Sequence, residues 1–334
     1  MSTHPASTLL GLGVLDPGLE ASLLRGIDGV EASLRAAIRS DYPFVTEASR
    51  HLVEAGGKRF RPLLVLLAAQ FGDPDAPGVV PSAVVVELTH LATLYHDDVM
   101  DEAHMRRGAE SANARWDNTV AILTGDFLFS RASDILADLG PEAVRIQART
   151  FERLCTGQIR ETVGPQDGAD PVEHHLRVLA DKTGSLIATS GQFGALMSGA
   201  EPRVVEVLTE FGERIGVAFQ LADDIVDISS DSSESGKTPG TDLREGVPTL
   251  AGLIVLSSTA PDDRLVELLG RPLPYDAEHA EALDLLRAHP ALGQARVEAR
   301  RWADGARESL KELPAGPARD ALESMCDYVV TRTG

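Results

Sequence analysis

An all-α fold is what this sequence predicts, and three observations carry the prediction. Aromatic residues make up only 4% of the 334 residues, while Ala, Leu, Glu and Arg abound, a balance that favours helix over strand. Apolar residues recur at helical spacing through most of the chain, and no convincing alternating strand pair interrupts them. Two of these segments end in the same acidic pattern, Asp-Asp-x-x-Asp, whose first and last acids stand one turn apart on one face if the segment is helical.

Residues 1 to about 18 read as irregular, and a single helical domain is expected over 19–334. Leu23 to Tyr42 forms a first amphipathic helix, stopped near Pro43, and Phe44 to Ala55 a second, ended by Gly56-Gly57. An apolar helix then runs to about Phe71. The loop from Asp73 to Pro81 carries three prolines and leads into the helix of the first acidic motif. Thr119 to Leu139 is helical up to Gly140-Pro141, and Pro141 to Thr162 keeps the period. Gly164 to Asp170 is a loop, Pro171 to Ala200 a helix, and the second acidic helix spans about Pro202 to Ile228. Ser229 to Glu245 is a polar loop, Pro248 to Leu256 resumes helix, Pro261 to Tyr275 is loop-rich, and two or three helices fill the remainder.

Composition narrows the function classes. A formal charge of −20 and a pI near 4.8 argue against nucleic acid or an anionic membrane as a general partner. Cys155 and Cys326 suit a reducing compartment, and no spacing suggests a metal knuckle or a disulfide framework. The longest uninterrupted apolar stretch, Leu63 to Ala69, is far too short to span a bilayer, and Met1 to Pro17 lacks the basic start of a signal peptide. A soluble, cytoplasmic protein with no integral membrane segment is expected.

The first acidic motif holds Asp97, Asp98 and Asp101 at the end of an apolar run that includes Val84, Val85, Val86, Leu88, Leu91 and Leu94. Alone, such a cluster is more often a solvated helix end. A second copy changes the balance: Asp223, Asp224 and Asp227 close another apolar segment with Phe211, Ile215, Val217 and Ala218. Unpaired charge is expensive at the end of a core helix, so a partner must neutralise it. Facing each other across a cavity, two such ridges could hold several Mg²⁺ ions and leave coordination sites for substrate phosphate. All-oxygen donors disfavour zinc or copper, and neither ridge has the Glu-x-x-His pairs of a di-iron bundle.

Basic clusters stand out in so acidic a chain. Lys58, Arg59 and Arg61 follow the double glycine at a helix entrance, where backbone N–H groups and cations can both meet an anion. Arg106 and Arg107 follow the first acidic motif. Each cluster alone is as well read as a solvated basic turn; together they favour phosphate, which arginine meets with forked donors. Lys182-Thr183 and Lys237 take their meaning from that context. His96 and His90 read by default as structural residues. No nucleotide-binding glycine loop and no serine-hydrolase elbow is present.

Taken together, the paired Asp-Asp-x-x-Asp ridges, Gly-Lys-Arg-Phe-Arg-Pro, Arg-Arg-Gly, Lys-Thr and Gly-Lys-Thr-Pro-Gly-Thr-Asp-Leu resemble the trans-isoprenyl diphosphate synthases, the polyprenyl synthetase family, densely from Ala55 to Leu250. The resemblance implies antiparallel helices around a deep apolar cavity, usually in a homodimer. It implies that Asp97, Asp98, Asp101, Asp223, Asp224 and Asp227 hold Mg²⁺, three ions with substrate bound, on an allylic prenyl diphosphate. Lys58, Arg61, His90 and Arg107 match positions that grip isopentenyl diphosphate; Arg106, Lys182, Thr183, Gln220 and Lys237 match those that contact the allylic diphosphate. One departure is Val247, where many relatives carry a second lysine, so that role is not transferred.

Within the resemblance, bulky aromatics one turn before the first acidic motif close the cavity for short products, whereas here Ala92 and Thr93 are small. That points to the medium- or long-chain branch, which supplies quinone side chains. Ile135 and Leu136 are candidates for the cavity floor and equally plain core residues. The alternatives are a short-chain farnesyl or geranylgeranyl diphosphate synthase, a terpene cyclase, and a non-catalytic partner subunit.

Overall fold

The computed structural model describes residues 15–229, 239–258 and 263–331, and these are helical almost throughout. The helices are α1 (Pro17–Ala37), α2 (Pro43–Glu54), α3 (Phe60–Ala68), α4 (Val79–Met100), α5 (Ala112–Arg115), α6 (Asn118–Leu139), α7 (Pro141–Val163), α8 (Pro171–Leu179), α9 (Ser185–Met197), α10 (Pro202–Ser229), α11 (Thr241–Glu245), α12 (Leu250–Leu256), α13 (Asp263–Leu269), α14 (Asp276–Ala288), α15 (Pro290–Ser309) and α16 (Pro317–Thr331). The chain divides into two compact units. One comprises the residues through Phe151 with Leu186–Glu210 and Leu310–Met325; the other comprises Glu152–Ser185, Phe211–Ser309 and the residues from Cys326 on.

The first unit is built around α4. Its three consecutive β-branched residues, Val84 to Val86, are poor helix formers, yet every residue from Ser82 to Thr89 is buried. A helix apolar on all sides is stable only when neighbours cover all sides. Helices α1, α3 and most extensively α6 do so. The polar members are satisfied locally: Ser82 Oγ donates to the Val79 carbonyl at 2.8 Å and Thr89 Oγ1 to that of Val85 at 2.9 Å.

The second unit has its own core, in which Leu221, Ile225 and Ile228 of α10 meet Leu250 and Val255 of α12, Leu283 and Leu286 of α14, and Ala295 and Ala299 of α15. Helix α12 packs on both α15 and α8.

Several boundaries differ from expectation for identifiable reasons. Helix α1 spans Pro17–Ala37 rather than Leu23 to Tyr42, beginning early because Asp16 accepts hydrogen bonds from the Gly18 and Leu19 amides and Pro17 supplies a preset first turn. The expected continuous helix from Pro171 is interrupted by a π turn over Ala180–Gly184. A short helix, α13, lies inside the segment expected to be loop-rich. One strand pair does exist, β1 (Met105–Arg106) with β2 (Ala109–Glu110). Its connecting residues Arg107 and Gly108 both have positive φ, 53° and 76°, as a type I′ hairpin turn requires. Two-residue strands are too short to show alternation, and an arginine in a left-handed turn gives no composition signal.

Candidate active site

In the first unit α4 ends in the first acidic motif. The Asp101 amide donates to the Asp97 carbonyl at 2.8 Å, so these two acids do stand one turn apart. Asp98 turns inward and is fully buried, with its Oδ1 accepting from Arg106 Nε at 2.5 Å and its Oδ2 without a hydrogen-bond partner. Burial raises the Asp98 carboxyl above its usual range, and Arg106 pulls it back. The backbone makes this pairing. Glu102 takes a left-handed conformation (φ 50°), the Ala103 amide bonds back to the Asp98 carbonyl, and the hairpin returns Arg106 to the helix end. Arg106 Nη2 also stands 4.0 Å from Asp101.

Several basic residues of this unit cluster within electrostatic reach of one another. Gly56 and Gly57 have φ of 95° and 151°, and the Gly57 backbone lies so close to the Arg107 guanidinium that a Cβ there would meet it at 3.0 Å. Arg107 Nη1 donates to the carbonyls of Leu52 (3.0 Å) and Gly56. Arg61 keeps a buried Nε with no hydrogen-bond partner, and its guanidinium is brought down to about 10, by burial first, with Glu87 opposing and Arg107 adding. His90 is held well below its usual value, by burial and then by Arg61, Arg107, Arg106 and Arg59. Of the four guanidinium groups around this imidazole, Arg59 is paired with Glu31 and Glu87 and Arg106 with Asp98, whereas Arg61 and Arg107 form no ion pair among the described residues. Lys58 is exposed in the loop before α3.

One member of this assembly, Glu87, escapes a reading of the sequence, and Arg59, read there as a cation for an anionic ligand, is paired with it instead. Arg59, at φ 47°, donates to Glu31 at 2.6 Å, Glu87 at 2.8 Å and the Val53 carbonyl at 3.0 Å. Glu87 is almost completely buried. An isolated acid inside the run Val84 to Leu88 was the available signal, since a carboxylate there demands a cation. The pair fastens the Gly56–Arg61 turn to α4.

The second acidic motif lies in the second unit. Asp224 is buried, and its Oδ1 accepts from Gln220 Nε2 at 3.0 Å; Gln220 Oε1 in turn accepts from Thr183 Oγ1 at 3.4 Å. Three expected site residues are thus joined in one chain of contacts. The Asp224 carboxyl is pushed up to about 8, by burial first and then by Asp242, with Asp223 and Asp227 adding. Asp242 is the residue missed here. It is pushed up to about 7 by burial, Asp227 and Glu245, and its amide donates to Asp227 Oδ2 at 3.3 Å. The turn is set by Gly240 (φ 70°), whose amide bonds the Asp227 carbonyl at 2.8 Å. Lys182 pairs with Glu161. The π turn that carries it is pinned by Asp181, bound by Arg153 at 2.9 Å and by Arg160, and Gly157 leaves room for the Lys182 amide. Lys237 lies outside the described residues. Val247 is exposed and carries no charge for a phosphate.

Of the candidate length-setting residues, Ala92 and Leu136 are buried, while Thr93 and Ile135 are half-buried; Thr93 Oγ1 is turned back to the His90 carbonyl at 2.8 Å.

The donor chemistry fits a hard divalent cation. Burial and neighbouring acids raise the Asp224 and Asp242 carboxyls, with Lys182 opposing at Asp242, and a divalent ion would supply countercharge to this cluster. Among the described residues no group of three or more His, Cys, Asp or Glu side chains converges tightly enough to hold an ion unaided. Mg²⁺ characteristically takes one or two carboxylates and completes its shell with water and substrate phosphate.

The chain is similar to known proteins over nearly its whole length. The sequence profile of the polyprenyl synthetase family matches residues 42–286. The nonaprenyl diphosphate synthase of Mycobacterium tuberculosis is 49% identical over 332 residues, covering 99% of each chain. The crystal structure of geranylgeranyl pyrophosphate synthase from Corynebacterium glutamicum, complexed with calcium and isoprenyl diphosphate, superposes with a TM-score of 0.86 at 45% identity, covering 97% of this chain and 99% of that one. A decaprenyl diphosphate synthase from Rhodobacter capsulatus gives a TM-score of 0.86 at 34% identity, covering 95% and 98%.

Proposed function

The chain belongs to the polyprenyl synthetase family, and from that premise we propose a full account of its reaction and site. It is a prenyl diphosphate synthase that joins an allylic prenyl diphosphate to successive isopentenyl diphosphates, head to tail and in trans geometry. The product is a medium- or long-chain polyprenyl diphosphate of the kind used as a quinone side chain. The observation that carries the reading is the cluster of Arg61, His90 and Arg107, in which Arg61 keeps a buried Nε without a partner and Arg107 bonds only backbone carbonyls, so that neither guanidinium has a carboxylate among the described residues.

In this account Lys58, Arg61, His90 and Arg107 bind the diphosphate of isopentenyl diphosphate. Asp97, Asp101, Asp223, Asp224 and Asp227 supply the ligands for Mg²⁺, three ions with substrate bound. Asp98, expected from the resemblance to be a sixth metal ligand, instead has the role of fixing Arg106 towards the allylic diphosphate because it is paired with that guanidinium. Lys182, Thr183, Gln220 and Lys237 complete the contacts to that group. When bound, Mg²⁺ neutralises charge developing on the leaving diphosphate. Arg106 and Lys182 stabilise the same charge as the C1–O bond of the allylic substrate breaks. The isopentenyl C=C then attacks the allylic C1, and a proton is lost to the departed diphosphate, leaving a chain five carbons longer. Small Ala92 and Thr93 leave space for a long product. The protein works as a homodimer in the cytoplasm. Among the described residues no helix is long and apolar enough to cross a membrane.

A second reading, a short-chain synthase, is kept because the Corynebacterium structure at 45% identity is of a geranylgeranyl pyrophosphate synthase. Incubation with Mg²⁺, labelled isopentenyl diphosphate and a panel of allylic primers separates the cases. Chromatography of the dephosphorylated products is expected to show chains longer than geranylgeraniol, with no turnover when either substrate is withheld. Product stopping at or below geranylgeraniol establishes the short-chain reading. A hydrocarbon formed from the allylic diphosphate alone identifies a cyclase, and complete inactivity of the purified chain identifies a partner subunit.

A further inference from the structure

The second acidic motif has a neighbour outside the known set. His175, on α8, is nearly buried, and its Nε2 has no hydrogen-bond partner. That nitrogen stands 3.9 Å from Asp224 Oδ2, while the other carboxylate oxygen, Oδ1, already accepts from Gln220 at 3.0 Å. Leaving a buried N–H unbonded is unfavourable, and nothing in a purely apolar packing role calls for it.

We infer that His175 is a positioning residue for Asp224: its Nε2–H closes on Oδ2 and, with Gln220 on Oδ1, fixes the rotamer in which the remaining lone pairs face a bound divalent cation. This rests on the reading of Asp224 as a metal ligand. Hydrogen bonds around a site are commonly long before the ligand is bound and tighten with it. The choice of donor has a chemical logic. Asp224 is surrounded by the charges of Asp223, Asp227 and Asp242. A lysine or arginine at position 175 would neutralise the carboxylate and compete with the metal, whereas a neutral imidazole orients it and leaves its charge for the cation.

The test measures Mn²⁺ binding to the full chain by electron paramagnetic resonance in the presence of inorganic pyrophosphate, alongside metal-free thermal melting, for wild type, His175→Leu, His175→Gln, His175→Asn and Asp224→Asn. Loss of an outer-shell hydrogen bond costs roughly 10–100-fold in metal affinity. His175→Leu is expected to weaken Mn²⁺ binding by about 10-fold or more with its metal-free melting temperature retained. His175→Gln, whose amide reaches the same place, is expected to stay near wild type. Should His175→Leu fail to fold, the Gln and Asn variants decide: Asn, too short to reach Oδ2, is expected to bind weakly. The inference is overturned if the Leu variant, or in its place Asn, binds Mn²⁺ like wild type while Asp224→Asn does not. If Asp224→Asn also binds like wild type, the metal assignment of Asp224 falls, and the role of His175 with it.

Discussion

Asp98 and Asp224 occupy the same place in two copies of one motif, yet their surroundings are opposite. Asp98 is buried against a guanidinium, Arg106 at 2.5 Å. Asp224 is buried against an amide and among acids, Asp223, Asp227 and Asp242, which push its carboxyl up to about 8. A carboxylate neutralised by the protein serves the fold. One that burial leaves unneutralised is a vacancy for a cation. Identical spacing therefore does not assign identical roles to the middle acid, and of the two it is Asp224 that the protein leaves without a guanidinium partner among the described residues.

The sharpest way to break this comparison is to substitute both residues. Asp224→Asn is expected to lower kcat by roughly 10²–10³-fold, the scale of losing one group that stabilises developing charge. It is also expected to raise the melting temperature in chelator at pH 8, because an amide carries no penalty for ionising in a buried site. Asp98→Asn should do the reverse for stability, costing about 1–3 kcal/mol, since it strands the Arg106 guanidinium, a figure reduced by that side chain's partial exposure. Equal signs in melting temperature would dissolve the distinction.

Next in size is the anchor of the basic cluster. Glu87→Gln breaks a buried ion pair with Arg59 and is expected to cost about 3 kcal/mol in denaturant unfolding. It should also raise KM for isopentenyl diphosphate more than for the allylic substrate, because Arg59 holds the turn that presents Arg61. An unchanged ratio of the two KM values would detach Glu87 from the cluster.

The pH response follows from the raised carboxyls of the second motif. Asp224 and Asp242 keep their protons in the metal-free fold to about 8 and about 7, whereas the ordinary value is 3.8. Their contribution is fully present below that ordinary value and is lost as pH rises through the folded values. Melting temperature in chelator is expected to fall by several degrees between pH 5 and pH 9. Saturating Mg²⁺ with pyrophosphate should flatten the decline, and a flat profile without metal would contradict the buried-acid picture.

The smallest effect on rate should come from Ala92→Phe, on the same helix as the first motif. Shorter products with an intact fold are expected if position 92 faces the growing chain. A melting temperature lowered by overpacking, with products unchanged, would place Ala92 in solid core instead.

How much of this was legible beforehand differs by level. Helical periodicity located the long helices, since their apolar faces repeat wherever they pack, and it failed at Asp16-Pro17, where a capping side chain alone decides the start. It missed the hairpin at Arg107-Gly108, which rests on backbone angles a non-glycine residue rarely adopts. The paired acids and basic clusters were readable because repeated charge beside apolar sequence has few explanations. Asp242, His175 and Glu87 were not, each being a single polar residue whose meaning comes from what faces it.

The sequence by itself therefore determined the fold class, the reaction family and the set of charged groups available, because periodicity, charge and motif spacing are properties of the chain. Only the tertiary structure decided which aspartate receives a guanidinium and which receives neutral donors. Burial and the identity of the facing side chain are set by segments distant in sequence, and it is these that determine whether a carboxylate is already neutralised or still requires a cation.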